Sequence, residues 1–256
     1  MTDEAIGYVL GQQVPDTPLT GRNMEDFVLC PRKYLLSSFA SRARTQERLG
    51  GPAALHLAVR SALLEAYRAL PARLPANALV AAFEAAWDGT ACRDSKEEED
   101  LHRDGLRMVQ EHHAQPAAVE GAVQVDVRLE GELEGFRFVA VADVLAVTPP
   151  VALRFVTSRK PPPQAQLVEE PGWRLLYLLA RERPGAAGTV GTMADLRHGK
   201  LVQFALDPAQ RGLAVAELTR VAGRIRTERA FGPNRGTHCR WCRSRSDCPA
   251  WRSGVE

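Results

Sequence analysis

Four cysteines are the residues best equipped to do chemistry. Cys239, Cys242 and Cys248 lie in THCRWCRSRSDCPAW with C-x2-C-x5-C spacing, and Cys30 stands alone in FVLCPRKYLL. Three thiolates that close in sequence converge on one point and need a fourth ligand to close the site. Cys30 is placed to supply it. His238, next to Cys239, is the lesser candidate. Zinc accepts four thiolates in a tetrahedron, and an iron–sulfur cubane also takes four. Spacing alone does not separate the two. Cys92, in the polar stretch GTACRDSKEE, reads as a bystander thiol.

The bulk composition restricts the setting. Charged residues make up 25% and hydrophobic ones 45% of 256 residues, an ordinary globular balance. The net charge is +2, so the chain as a whole is no polycation. From Arg211 to Arg252, however, ten Arg face only Glu217, Glu228 and Asp247. A basic tail of this kind suits a polyanion, although a solvated basic face has the same composition. The tail's Arg240, Arg243 and Arg245 are candidate phosphate contacts, and Trp251 is a candidate stacking platform for bases. Packing over a metal centre is the competing use for the tail's tryptophans, Trp241 above all. No apolar run approaches the length of a membrane span, and MTDEAIGYVLGQQ lacks the basic start of a secretory signal. The expectation is a cytoplasmic protein with no membrane partner, where clustered cysteines bind metal rather than pair.

The elements that must position these residues follow from pattern. Residues 1–22 read as a leader ending in a turn, and Asn23 as a cap for a helix through MEDFVLCPRKYLL that Pro31 breaks or kinks. Helices are expected at 52–70, 76–91 and 97–114, the first with Leu55, Val59, Leu63 and Tyr67 at helical spacing. The texture then changes to alternation: strands at 122–130, 136–147 and 151–157. A helix around 165–182, interrupted near Pro171-Gly172, precedes strands near 189–197 and 200–205, and a last helix covers about 208–229. The order implies an α/β fold with one central mixed sheet flanked by helices. We read residues 1–256 as one domain, with a helical region at 23–118, a core at 119–230 and a cysteine-rich lobe at 231–256 that closes on Cys30.

With these residues in place, the chain resembles the iron–sulfur branch of the PD-(D/E)XK nuclease superfamily. That branch includes RecB/AddB-type nuclease domains and CRISPR-associated iron–sulfur exonucleases. CPRKYLL matches its helix with a cysteine followed by Pro-Arg and an aromatic, and CRWCRSRSDCP matches its C-terminal C-x2-C-x5-C-P. The resemblance implies a restriction-endonuclease-like sheet and a 4Fe-4S cluster on Cys30, Cys239, Cys242 and Cys248, with zinc as the alternative. It implies a metal-ligating histidine at His56, in GGPAALHLAVRSAL. It implies a metal-binding Asp143 in AVADVLAV, where Ala140 replaces the family glycine. The (Asp/Glu)-x-Lys motif falls on LRFVTSRKPPP. There Thr157 takes the carboxylate position and Arg159 the lysine position, or Ser158 and Lys160 in the neighbouring frame. The Gln-x-x-x-Tyr helix keeps Tyr177 but has Trp173 in place of Gln.

Phosphodiester hydrolysis of this kind needs a divalent ion held by carboxylates, and arginine stays protonated and cannot serve as base. The substitutions therefore imply a weakened or lost nuclease. An isolated carboxylate in an apolar strand is costly, so Asp143 is expected to pair with Arg159 across adjacent strands. A histidine on an apolar helix is more often a packing residue than a ligand, which applies to His56. Glu65, nine residues beyond His56, is the one displaced carboxylate on that helix, and it falls on the other face. Three functions follow. The first is a protein that binds DNA, single-stranded by preference, without cutting it. The second is an active Mg- or Mn-dependent single-strand exonuclease with a displaced carboxylate. The third is a non-catalytic subunit of a helicase, recombination or CRISPR-type defence complex.

Overall fold

The computed structural model describes residues 17–40, 50–115, 123–147, 150–183, 185–186 and 188–252. Most of the leader and the last four residues of the cysteine-rich lobe lie outside the described residues. Six strands form one mixed sheet: β1 Leu19–Thr20, β2 Val123–Leu133, β3 Phe136–Val147, β4 Pro150–Val156, β5 Val190–Asp195 and β6 Lys200–Phe204. The order is β1-β3-β4-β5-β6, with β2 also on β3. β1 runs parallel to β3 and β4 parallel to β5, while the remaining pairs are antiparallel. A two-residue turn joins β2 to β3. Glu134 and Gly135 both have positive φ there, as a tight hairpin between twisted strands requires.

Helices cover both faces of the sheet. α1 (Gly21–Leu29), α2 (Pro31–Ala40), α6 (Gln164–Leu167), α7 (Pro171–Arg181) and α8 (Pro208–Thr227) share one side. Their core joins Met24, Phe27, Tyr34, Phe138, Leu176 and Leu218. α3 (Gly51–Arg68), α4 (Ala76–Ala86) and α5 (Ser95–Ala114) cover the other with a core that includes Leu63, Phe83, Met108, Leu153 and Phe155. The described helices of the expected helical region, 23–118, thus divide between the two layers.

Local chemistry sets the helix ends. Asp94 caps α5 by accepting from Glu97 N (2.8 Å), with acids in its first turn and His112 and His113 in its last, as the helix dipole favours. Thr20, not Asn23, caps α1: Thr20 Oγ1 accepts from Asn23 N and Asn23 Oδ1 accepts from Thr20 N, both at 3.0 Å. Asn23 thus closes the capping box from within the helix. The end of the expected leader is strand β1. Two residues carry no readable period, and their hydrogen-bond partners lie over a hundred positions away. The interruption near Pro171-Gly172 is real and separates α6 from α7.

Candidate functional site

β3 is a forked strand. On one edge β2 follows it from end to end. On the other, β1 pairs only with Phe138 and Val139, and β4 only with Val144–Val147. Residues 140–143 have neither β1 nor β4 as a ladder partner on that edge. Asp143 stands where β4 peels away and is 5% exposed. Both its oxygens are engaged. Oδ2 accepts from Phe155 N of β4 (2.7 Å), taking the role of a ladder bond. Oδ1 accepts from Arg60 Nε of α3 (2.5 Å). Arg60 Nη2 also donates to Asp126 Oδ1 on β2 (2.6 Å). The expected partner, Arg159, is therefore not the one used. Arg60 reaches Asp143 from the helical layer above the sheet, which a strand-to-strand argument overlooks. Burial opposes the charge on Arg60, and the bonds to Asp126 and Asp143 outweigh it, holding its pKa above the ordinary guanidinium value.

His56 lies one helical turn before Arg60 on α3, and its Nδ1 is 3.3 Å from Thr157 Oγ1. Burial lowers its pKa, partly offset by Asp143 and reinforced by Arg60 and Arg154, so the ring is neutral at physiological pH. His56, Thr157, Ser158 and Arg159 share a cleft of about 570 Å³ with Arg93 and Arg197. Lys160 is exposed outside it, its backbone N–H donating to Ser158 Oγ (3.2 Å). Glu65 is bonded to Arg68 on the solvent side of α3, away from this cluster. On the far side of β4's end, a second cavity of about 480 Å³ lies in the fork. It is lined by Ala140, Arg154, Val156 and Trp173, among others. The Arg154 guanidinium lies 5.2 Å from the Trp173 ring centre. Tyr177, one turn further along α7, is 2% exposed and its hydroxyl donates to Leu206 O (3.3 Å). The sequence therefore brings His56, Asp143, Thr157 and Arg159 to one neighbourhood, leaves Lys160 at its rim and buries Tyr177 in the core.

The cysteine lobe forms beside the C-terminus of α1. Cys239, Cys242 and Cys248 line one cavity of about 660 Å³. Cys30 Sγ accepts from Asn234 N (3.3 Å), Asn234 Nδ2 donates to Leu29 O (3.0 Å), and His238 Nε2 stands 2.9 Å from Asn234 O. His238 Nε2 is in turn 3.8 Å from Cys239 Sγ. Cys30 thus meets the segment that leads into the other three, over 204 positions of sequence. All five cysteines are free thiols. As placed, the thiols are not drawn to ligand spacing: among the described residues, no group of three or more His, Cys, Asp or Glu side chains is gathered to hold a metal ion. Two residues after Cys30, the buried Arg32 Nε and Nη1 have no hydrogen-bond partner among the described residues. Buried cationic donors so near Cys30 in sequence suit an anionic thiolate-bound centre. Around the lobe Arg240, Arg243 and Arg245 are exposed. Arg245 stacks over the Trp251 ring at 5.8 Å, and Trp251 is 48% exposed. Trp241 does not pack over the lobe; it is 74% exposed.

A model of the PD-(D/E)XK nuclease superfamily matches residues 19–249, nearly the whole chain. The chain belongs to the PD-(D/E)XK nuclease superfamily. Among solved structures, the chain resembles a "Putative exonuclease" from Eubacterium rectale, with a TM-score of 0.54 and 12% identity. That alignment covers 100% of this chain and 94% of the other, and at such identity the likeness is one of fold. No curated protein matches.

The forked strand carries the expected metal-binding Asp143, and the register moves the expected (Asp/Glu)-x-Lys stretch past the end of β4. The β3–β4 ladder ends at Val144 opposite Leu153, and beyond it Asp143 Oδ2 takes Phe155 N in place of a backbone partner. The β4 residues just past the ladder are Arg154, Phe155 and Val156. Thr157 and Arg159 lie just past the strand end, beyond Val156. Either frame lacks the second carboxylate. A hard divalent cation needs several oxygens, and here both oxygens of Asp143 are committed, one of them to the Arg60 guanidinium. The residues at the fork do not fit a Mg²⁺ or Mn²⁺ ion. Arg60 and Asp126 were not identified from sequence. The i, i+4 step from His56 to Arg60 was the available signal for one. Asp126 lies in the polar, exposed phase of AVQVDVRLE, where an acid gives no signal.

Proposed function

We propose that this chain is an iron–sulfur PD-(D/E)XK protein of the RecB/AddB-like, CRISPR-exonuclease-like branch. In this reading it binds DNA, single-stranded by preference, and has lost hydrolysis. The observation that carries the reading is the double commitment of Asp143, to Arg60 Nε at 2.5 Å and to Phe155 N at 2.7 Å. A side chain with both oxygens so used is a structural tie. His56 faces a threonine hydroxyl where a carboxylate would be needed. Mg or Mn would be required only if the centre were active.

Cys30, Cys239, Cys242 and Cys248 would hold a 4Fe-4S cluster, zinc being the alternative tenant, in a reducing cytoplasm. When bound, such a cluster supplies a cross-link between the two ends of the fold. The chain's own residues do the rest. Arg32 would direct its buried, unmet donors toward the negative centre. Arg240, Arg243 and Arg245 are free in space to meet phosphates, and Trp251, braced by Arg245, offers a face for a base. The exposed Trp241 suits either a base or a partner protein, and a helicase, recombination or CRISPR-type defence complex would be the setting.

The test is binding of labelled single-stranded DNA across a salt series. Replacing Arg240, Arg243 and Arg245 with Gln should weaken binding and flatten the salt slope by roughly 0.7 per lost phosphate contact. Absence of any DNA binding at low salt would remove the reading in favour of a protein-binding subunit.

A further inference from the structure

A cavity of about 370 Å³ lies in the helical layer of α3 and α5, and it shares no lining residue with the fork, the His56 cleft or the cysteine lobe. The C-terminal ends of α3 and α5 wall it, and the connection from α3 to α4 closes it. Leu63, Ala66, Leu70 and Leu74 make most of that wall aliphatic. Tyr67 and His112 add two rings, and Phe155 packs against both, the three ring centres standing 5.8, 5.9 and 6.0 Å apart in pairs. The polar atoms on this wall answer each other, since the Tyr67 hydroxyl is 3.1 Å from His112 Nε2. Burial holds the His112 ring neutral, with a pKa of about 4. The wall therefore brings no charge to the cavity.

The edge differs. Arg73, exposed on the connection, lines the cavity, and its Nη2 donates to His113 O of α5. That bond uses one of the five guanidinium donors and goes to a neutral carbonyl, so it leaves the positive charge unanswered. Among the described residues no acidic side chain lines the cavity. His113 is held neutral by burial and by Arg73 itself. At neutral pH the cavity thus carries a single charge, a cation at its edge. We infer that this cavity is a binding site for a small aromatic carboxylate, with its rings against Tyr67 and His112 and its carboxylate on Arg73. A flat ring system covers ring and aliphatic walls while losing little conformational freedom. A carboxylate takes two parallel N–H bonds from a guanidinium. A guest with polar groups spread over its body would leave them unpaired against the leucines. A nucleotide, with several charges, would meet one cation and apolar walls. The volume is near the lower limit for ligand cavities, which restricts the guest to one or two rings. The site is separate from the proposed DNA contacts and does not rest on them.

The probe is 2-naphthoate, titrated calorimetrically into the full chain with no DNA present. One equivalent should bind saturably, with a Kd of about 1 mM or tighter. 2-Naphthalenemethanol, with the same rings and a neutral alcohol, should bind about tenfold more weakly, because it lacks the charge that Arg73 meets. Arg73→Gln, at an exposed position, should erase that difference by weakening the acid and leaving the alcohol unchanged. Ala66→Phe should fill the cavity and abolish binding of both. Leu74→Trp, on the connection, should do the same and serves if the first filled variant fails to fold. If neither folds, the Arg73→Gln result decides alone. No saturable binding, equal affinity for acid and alcohol, or acid binding unchanged by Arg73→Gln or by a folded filled variant would overturn the inference.

Discussion

Asp143 is the residue on which the account turns, because its two oxygens hold a helix and a strand in place at once. Asp143→Asn keeps the shape and removes the charge that Arg60 faces. An arginine left without its buried partner costs roughly 3 kcal/mol, so chemical denaturation should report a loss of that order. Adding Mg²⁺ to the wild type should leave the melting temperature unchanged. A second residue-scale prediction concerns His112. Burial, helped by His113, pushes its pKa down from 6.5 to about 4. Its ring nitrogen stands 3.1 Å from the Tyr67 hydroxyl. The folded value lies below the unfolded one, so the stability due to the neutral ring is whole above pH 6.5. It is lost as the pH falls toward 4. Between about pH 7 and pH 5 the loss should be roughly 1–2 kcal/mol. Urea unfolding at the two pH values should show a smaller difference for His112→Gln than for wild type. Some of this scale was legible beforehand. A carboxylate among Val and Ala in AVADVLAV had to have a partner, and it does. The partner was misassigned because strand neighbours were considered and the helix lying across them was not.

At the scale of elements, α1 matters most, since it carries Cys30 at its C-terminal end and packs against α7. The approach is so close that a Cβ on Gly21 would collide with the backbone of Gly172. Gly21→Ala must therefore push the two helices apart, at a cost of roughly 1–3 kcal/mol. A circular-dichroism melt should show the drop, and a melt identical to wild type would mean that α1 does not dock as described. Gly172→Ala should be milder, because a Cβ there meets nothing closer than Glu25 Oε1 at 3.4 Å. The period-two run of 122–130 and the helical spacing in 52–70 made β2 and α3 readable, since each has one face on a core. β1 was not readable. Its two residues are a strand only because β3 offers an edge beside the fork, and that edge belongs to tertiary structure. The fork itself was equally hidden: nothing in LRFVTSRK reveals that β4 leaves the β3 ladder after Leu153 and gives Phe155 N to Asp143.

At the scale of the molecule, the two ends of the fold meet where Cys30 touches Asn234. A cluster shared by Cys30 and the three C-terminal thiols would close a loop of more than two hundred residues. Loop-closure reasoning places such cross-links at about 4–5 kcal/mol in ideal cases. Cys30→Ser should then lose iron, lose a broad absorption near ~400 nm characteristic of thiolate-bound iron, and melt earlier. A colourless wild type carrying stoichiometric zinc would replace the iron assignment with the zinc one. The superfamily was visible from the cysteine framework at the two ends, and the family match over residues 19–249 agrees with it. Whether the thiols would take zinc or an iron–sulfur cluster was not visible, because both accept the same thiolates.

The most direct measurement is single-turnover incubation of the purified chain with end-labelled single-stranded DNA in Mg²⁺ and, separately, Mn²⁺. The account predicts binding that is the same with and without the divalent ion, and a substrate that remains full length. Shortening of the strand that requires the ion and disappears with Asp143→Ala would contradict it.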